Sequence, residues 1–110
     1  QAKLGPDHPW LASALDGVAR AQVARKHPAD ALAFYQRALG LLEKALGPDH
    51  GEVAGPLEGI ATCQLALGKP QLAIAPLERA VTLLEHGDDP AATKHAKAEL
   101  DQARAALAKR

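Results

Sequence analysis

Apolar residues return every three to four positions along most of this chain, the spacing of a helix that buries one face. Leu11, Leu15, Val18 and Gln22 form one stripe, and Leu57, Ile60, Gln64 and Leu67 form another. Ala31, Tyr35, Ala38 and Leu42 mark a further helix, with Ala73, Leu77, Ala80 and Leu84 as its counterpart. A thinner stripe follows in Ala92, Ala96, Leu100, Ala103 and Leu107. Runs rich in β-branched or aromatic residues are absent, so the pattern predicts an all-α protein.

Punctuation residues divide the stripes into elements. Asp7 and Asp49 are natural N-caps, Pro9 sits in a first turn, and Glu52 stands three residues after Asp49 as in a capping box. The helices they open are expected to run to about Lys26 and Leu67. HP at His27–Pro28 and GKP at Gly68–Pro70 break the chain, and each Pro suits the first position of the next helix. Small Ala residues on the facing stripes let axes approach, so each pair of helices is expected to form an antiparallel hairpin. Pro76 falls inside the fourth helix, where a bend or an N–H-free first turn is expected. The last helix starts near Pro90 after HGDDP, and Lys94, Lys97, Glu99, Asp101, Arg104 and Lys109 give it a solvated outer face.

The same five residues, LGPDH, occur at Leu4–His8 and at Leu46–His50, an offset of 42. At that offset Leu15 falls on Leu57, Gly17 on Gly59, Val18 on Ile60, Ala19 on Ala61 and Gln22 on Gln64. Pro28, Ala31, Arg37, Ala38 and Glu43 fall on Pro70, Ala73, Arg79, Ala80 and Glu85. Matches spread over a whole period mark a structural repeat, and a period of this length predicts a helical solenoid. Residues 1–6 then read as the remnant of an upstream repeat, 7–46 and 47–87 as two repeats, and 88–110 as a capping helix. LGPDH is the hinge between hairpins, its Gly-Pro stopping one helix and its Asp capping the next. The chain has no initiator Met and begins inside a patterned segment, as a piece of a longer protein would. Trp10, at the start of the first helix, is expected to belong to the face that such an upstream repeat covers.

Composition narrows the function. Lys plus Arg equals Asp plus Glu, 13 against 13, leaving no net field to attract nucleic acid or an anionic membrane. No apolar run approaches the ~18 residues that span a bilayer. The single cysteine suits a reducing, cytoplasmic setting, and Cys63 lies on the packed side of its helix as a small hydrophobe. His8, His27, His50, His86 and His95 show no HxxxH or CxxC spacing, and His8 and His50 lie one full repeat apart, so no metal site and no cofactor is expected. No Ser–His–Asp set, phosphate loop or paired carboxylates in a shared cleft can be assembled, so the chain reads as non-enzymatic.

The pattern Leu15, Val18, Ala19, Gln22, Ala31, Tyr35, Ala38 resembles the tetratricopeptide repeat. That family's small residues would be Ala19, Ala31 and Ala38, and then Ala61, Ala73 and Ala80. The 42-residue period and the linker ALGPDH are similar to its kinesin-light-chain subclass. AIAPLERAV at Ala73–Val81 resembles repeats at the C-terminal end of large bacterial multidomain proteins, including serine/threonine kinases. The resemblance covers about residues 7–86 and implies a right-handed α-solenoid of stacked hairpins, here two repeats and a cap. Gln22 and Gln64 replace the family's usual Tyr, and they are expected to bond across the hairpin or to line the groove. Asp16–Gly17 and Glu58–Gly59 replace the Asn pair of the kinesin-light-chain type, and the Lys, Arg and Asn of a carboxylate clamp are missing.

The resemblance also implies where a partner sits, in a concave groove lined by the first helix of each hairpin. Its positions here are Ser13, Asp16, Gly17, Arg20 and Val23, and then Gly55, Glu58, Gly59, Thr62 and Leu65. Two features of the residues themselves point the same way. Gly17 and Gly59 each cost a helix up to ~1 kcal/mol against Ala at one register, as if something approaches the backbone there. Asp16 and Glu58 repeat an acidic group that suits a Lys- or Arg-bearing peptide, although Arg20 stands at i,i+4 from Asp16 to pair with it. The alternatives are tight helix packing at the glycines and ordinary solvated carboxylates. The leading expectation is a protein-interaction scaffold that binds a peptide or partner domain. The other is a structural spacer or self-association element of a multidomain bacterial signalling enzyme, with a homodimer through exposed repeat ends.

Overall fold

A computed structural model describes residues 9–109, so both the first copy of LGPDH and the Asp7 cap lie outside the described residues. Five α-helices follow one another: α1 (Pro9–Ala24), α2 (Pro28–Leu46), α3 (Ala54–Ala66), α4 (Pro70–Glu85) and α5 (Pro90–Ala108), with one 3₁₀ turn at Gly51–Val53. No strand occurs among the described residues. The molecule is an elongated slab of 55 × 32 × 19 Å in which each helix packs chiefly on its neighbours in sequence. This is an all-α helical-repeat solenoid.

The two hairpin turns are built alike. α1 ends with Lys26 at φ 64°, and His27 N–H donates to the Gln22 carbonyl at 2.8 Å. α3 ends with Gly68 at φ 75°, and Lys69 N–H donates to the Gln64 carbonyl at 2.8 Å. Both are Schellman closures, with a left-handed residue satisfying the last carbonyls. Pro28 and Pro70 then open α2 and α4 at their first positions, where a missing N–H has no intrahelical partner in any case. The three-residue connections turn each second helix back antiparallel to the first.

The interface residues are the small ones. Ala19, Ala31, Ala38, Ala61, Ala73 and Ala80 are all at most 1% exposed, so the helix axes approach over their methyl groups. Tyr35, Leu42 and Leu77 fill the space between, as the spacing predicts. The α1 stripe differs from expectation: Ala12, Leu15 and Ala19 are buried, whereas Val18 is 42% exposed. Its mate Ile60 is 7% exposed because it packs with Ala31 and Tyr35, and no described helix covers Val18 in that way. Gln22 and Gln64 are half-buried and make no side-chain hydrogen bond across the hairpin within the described residues.

The second copy of LGPDH corrects another expectation. Leu46 ends α2 and Gly47 turns the chain at φ 95°, its N–H donating to the Glu43 carbonyl. Asp49 does not cap the next helix. His50 does so, its Nδ1 accepting from Glu52 N–H at 3.1 Å over a single 3₁₀ turn. The α-helix begins only at Ala54, which brings Pro56 into the first turn of α3, where its lack of an N–H costs nothing. A helix from Asp49 would have put Pro56 in its interior. Arg79 of α4 pins this connection by bonding both the Glu43 carboxylate and, at 3.0 Å, the Pro48 carbonyl. Pro76 lies inside α4 without ending it.

In α5, Asp89 Oδ1 accepts from Ala92 N–H at 3.1 Å, and Ala96, Leu100 and Ala103 are buried against α4. Arg104–Glu78 and Lys97–Glu85, each 3.1 Å, tie its flanks to α4. Glu99 is a correction: its side chain is only 19% exposed, turned toward α3 instead of outward.

Candidate functional site

α1, α3 and α5 line one face of the slab and enclose two adjoining hollows of about 340 and 220 Å³, which share Asp16, Arg20 and Gly55. Together they form a trough. Ser13, Asp16, Gly17 and Arg20 line it from α1, and Gly55, Glu58, Gly59 and Thr62 from α3. Two groove positions fall elsewhere. Val23 lines a separate hollow of about 300 Å³ with Lys26, Pro28 and Cys63, while Leu65 is half-buried against Ala61 and Ala73. Both lie a turn nearer the hairpin connection, where the helices close over them.

The glycines divide. A Cβ built on Gly59 would lie 2.5 Å from Cζ and 2.6 Å from Cδ1 of Tyr35, so the close approach inferred for this register is made by the chain's own ring. At Gly17 and Gly55 nothing lies within 4 Å, and the trough is open there. Burial pushes the Tyr35 phenol above its usual range, the Asp16 carboxylate adds to this, and the Arg20 guanidinium, which hydrogen-bonds it, opposes it.

Asp16 is already paired, its Oδ2 2.8 Å from Arg20 Nε. Glu58 is not paired with a base. Burial, then a hydrogen bond to Glu99, then the charge of Glu99 push its carboxyl up to about 8. A proton held on Glu58 therefore relieves the repulsion between these two acids near neutral pH. Even so, Glu58 Oε1 and Glu99 Oε1 are both sealed from solvent and receive no hydrogen bond. His95 stands at the rim, Nε2 3.5 Å from Glu99 Oε1. The Thr62 hydroxyl is satisfied internally by the Glu58 carbonyl at 3.0 Å.

Sequence reasoning missed Tyr35, His95 and Glu99 as trough residues. His95 and Glu99 are spaced i,i+4 on α5, so their sharing a face was legible. Their meeting Glu58 depends on how the shortened HGDDP connection sets α5 against α3. Glu58 and Glu99 are the paired carboxylates that no reading of the separate stripes assembles.

Cys63 is fully buried beside Tyr35 and Ile60, and burial pushes its thiol up from an ordinary value of 9.0. The native thiol is therefore expected to resist a disulfide reagent at pH 8 and to react at once in denaturant. The folded state keeps Cys63 and Tyr35 protonated where the unfolded chain ionises them, so these two groups add no pH dependence to stability well below pH 9, whereas the raised Glu58 carboxyl already lowers stability as pH rises toward 8. Stability falls further as pH rises through 9 to 10. Urea titrations at pH 8, 9 and 10 check this; stability that rises with pH contradicts it.

The tetratricopeptide-repeat family model matches residues 1–44 and again 28–86, well over half of the chain. The chain belongs to the tetratricopeptide repeat family. No curated protein matches it significantly. Repeats of this family generally mediate protein–protein interactions and are typically non-enzymatic scaffolds. No helix among the described residues is long and apolar enough to cross a membrane.

Proposed function

We propose that the trough along α1, α3 and α5 binds a peptide or an exposed segment of a partner protein. The observation that carries this reading is its continuity across three helices: eight groove positions share one surface, and Gly17 and Gly55 leave its floor without side chains. Such a floor admits a main chain closely. The partner is basic at the α5 end, where the carboxyls of Glu58 and Glu99 meet with the exposed His95 at their rim, and less so at the α1 end, where Arg20 already neutralises Asp16. The 42-residue period and the ALGPDH linker support a kinesin-light-chain-like architecture, and AIAPLERAV a setting in a large bacterial multidomain protein in the cytoplasm.

Peptides selected from a random display library test the reading. Gly17→Leu with Gly55→Leu fills the trough at helix-compatible positions and is expected to weaken the selected peptides at least tenfold with helicity unchanged. Asp16→Lys with Glu58→Lys is expected to do the same for peptides carrying Lys or Arg. Unchanged affinity in the leucine variant moves the site out of the trough; loss there but not in the lysine variant keeps the trough and removes the basic preference.

A second reading, self-association, is favoured by the outer face of α1, where Trp10 is 60% and Val18 42% exposed. Light scattering decides it: a monomer at high concentration ends that reading.

A further inference from the structure

Glu58, His95 and Glu99 each offer one ligand atom, and the three atoms lie within 4.8 Å of one another. They come from two helices that are far apart in sequence, α3 and α5. Within α5, His95 and Glu99 are one turn apart on the same face, so one small ion reaches both. The two carboxylate oxygens that face solvent-free space without a donor, Glu58 Oε1 and Glu99 Oε1, are the kind of orphaned acceptors that a cation satisfies. Placing two carboxyls together in a half-buried pocket is unfavourable unless positive charge joins them. His95 is the adaptable member, with a side chain 71% exposed and held by only a 3.5 Å approach to Glu99.

We propose that Glu58, His95 and Glu99 form a three-ligand site for a divalent transition-metal ion, best matched by Zn²⁺, at the α5 end of the trough. One imidazole nitrogen and two carboxylate oxygens are a borderline set that suits Zn²⁺ or Co²⁺ over Mg²⁺ and Ca²⁺, which take shells of oxygen. Tetrahedral bonds of about 2.0–2.1 Å require ligand atoms roughly 3.3 Å apart. The ligand atoms, within 4.8 Å of one another, must draw together to reach that spacing, and the His95 side chain, 71% exposed, is the one with room to turn. The fourth position faces the trough and takes water or a donor from a bound partner. A bound ion cross-links α3 to α5, so it fixes the last helix on the solenoid. The site stands independently of whether the trough binds peptide, because its ligands belong to this chain alone.

The test uses tag-free protein stripped with chelator and then titrated with ZnCl₂, CoCl₂, MgCl₂ or CaCl₂. One equivalent of Zn²⁺ is expected, raising the thermal midpoint by roughly 10 °C when the free ion is about a hundredfold above its dissociation constant. Co²⁺ is expected to bind at the same stoichiometry with the intense visible absorption of a four-coordinate ion, and Mg²⁺ and Ca²⁺ to leave the midpoint unmoved. His95→Ala changes an exposed side chain and so preserves the fold; it is expected to lower Zn²⁺ affinity at least tenfold. Glu58→Gln and Glu99→Gln are expected to do likewise, while His27→Ala and His86→Ala have no effect. Zn²⁺ binding that survives His95→Ala unchanged, an equal response to Mg²⁺, or no stoichiometric binding overturns the proposal.

Discussion

Gly59→Ala is expected to destabilise the protein by about 2–3 kcal/mol, whereas Gly17→Ala, the same change one repeat earlier, is expected to stabilise it by up to ~1 kcal/mol. Both residues lie inside helices, so alanine gains the same intrinsic propensity at each. The difference is what the methyl group meets. At Gly59 it runs into the Tyr35 ring, which is only 6% exposed and is held by Ala19, Ala31 and Ile60. A buried ring in a packed interface cannot swing aside without displacing α2 from α3. At Gly17 the methyl enters open space. Urea unfolding of the two single variants checks the opposite signs. Adding Tyr35→Leu should return part of the Gly59→Ala loss as a coupling energy of about 1–2 kcal/mol, because the leucine leaves space beside the new Cβ. Equal effects at the two glycines would mean that Tyr35 does not occupy the Gly59 notch.

Leu77→Ala is expected to cost about 3–4 kcal/mol, enough to lower the thermal midpoint by well over 10 °C. Leu77 is fully buried and packs with Ala61 of α3 and with Ala96 and Leu100 of α5. It stands 42 residues after Tyr35, the register at which the second helix of each hairpin fills the gap to the next element. The surrounding alanines are too short to collapse into the cavity that truncation leaves, which puts the cost in the upper part of the Leu→Ala range. The loss should also fall unevenly. Hydrogen exchange is expected to quicken most in α5, whose buried contacts are made to α4 around Leu77, and least in α1. Chemical denaturation measures the first effect and exchange mass spectrometry the second. A loss below about 1 kcal/mol would contradict the packing described. Leu77→Val, a smaller cavity, should lose about 1 kcal/mol and stay folded.

Much of this architecture was legible because helical period, repeat offset and proline position are local signals. Pro28 and Pro70 mark helix starts, and Lys26 and Gly68, one repeat apart, take the same left-handed turn. The six alanines assigned to the interface are all buried. What was not legible depends on neighbours in space. The start of α3 turned on Pro56, which favours delaying the helix so that Asp49 gives up the cap to His50. Val18 and Ile60 share a register but not a burial, since burial depends on the helix stacked outside.

The site followed the same division. Eight groove positions are fixed by their place on the first helices, and the structure gathers them in one trough. Asp16 and Arg20 pair at i,i+4, an interaction that spacing alone predicts. The glycines were read as one signal and are two: Gly59 is a notch for Tyr35, and Gly17 is open. The encounter of Glu58 with Glu99 and His95 required the cap helix to fold against α3, and sequence spacing within either helix carries no trace of it.

If a peptide binds in the trough as proposed, the glycine amides of the trough report on it directly. A selected peptide titrated into ¹⁵N-labelled protein is expected to shift the amide signals of Gly17, Gly55 and Gly59, together with Ser13, Thr62 and His95. Gly40 and Gly87, which lie outside the trough, are expected to stay in place. Shifts confined to Gly40, Gly87 or the α4–α5 corner, with Gly17 and Gly55 unmoved, would contradict the account.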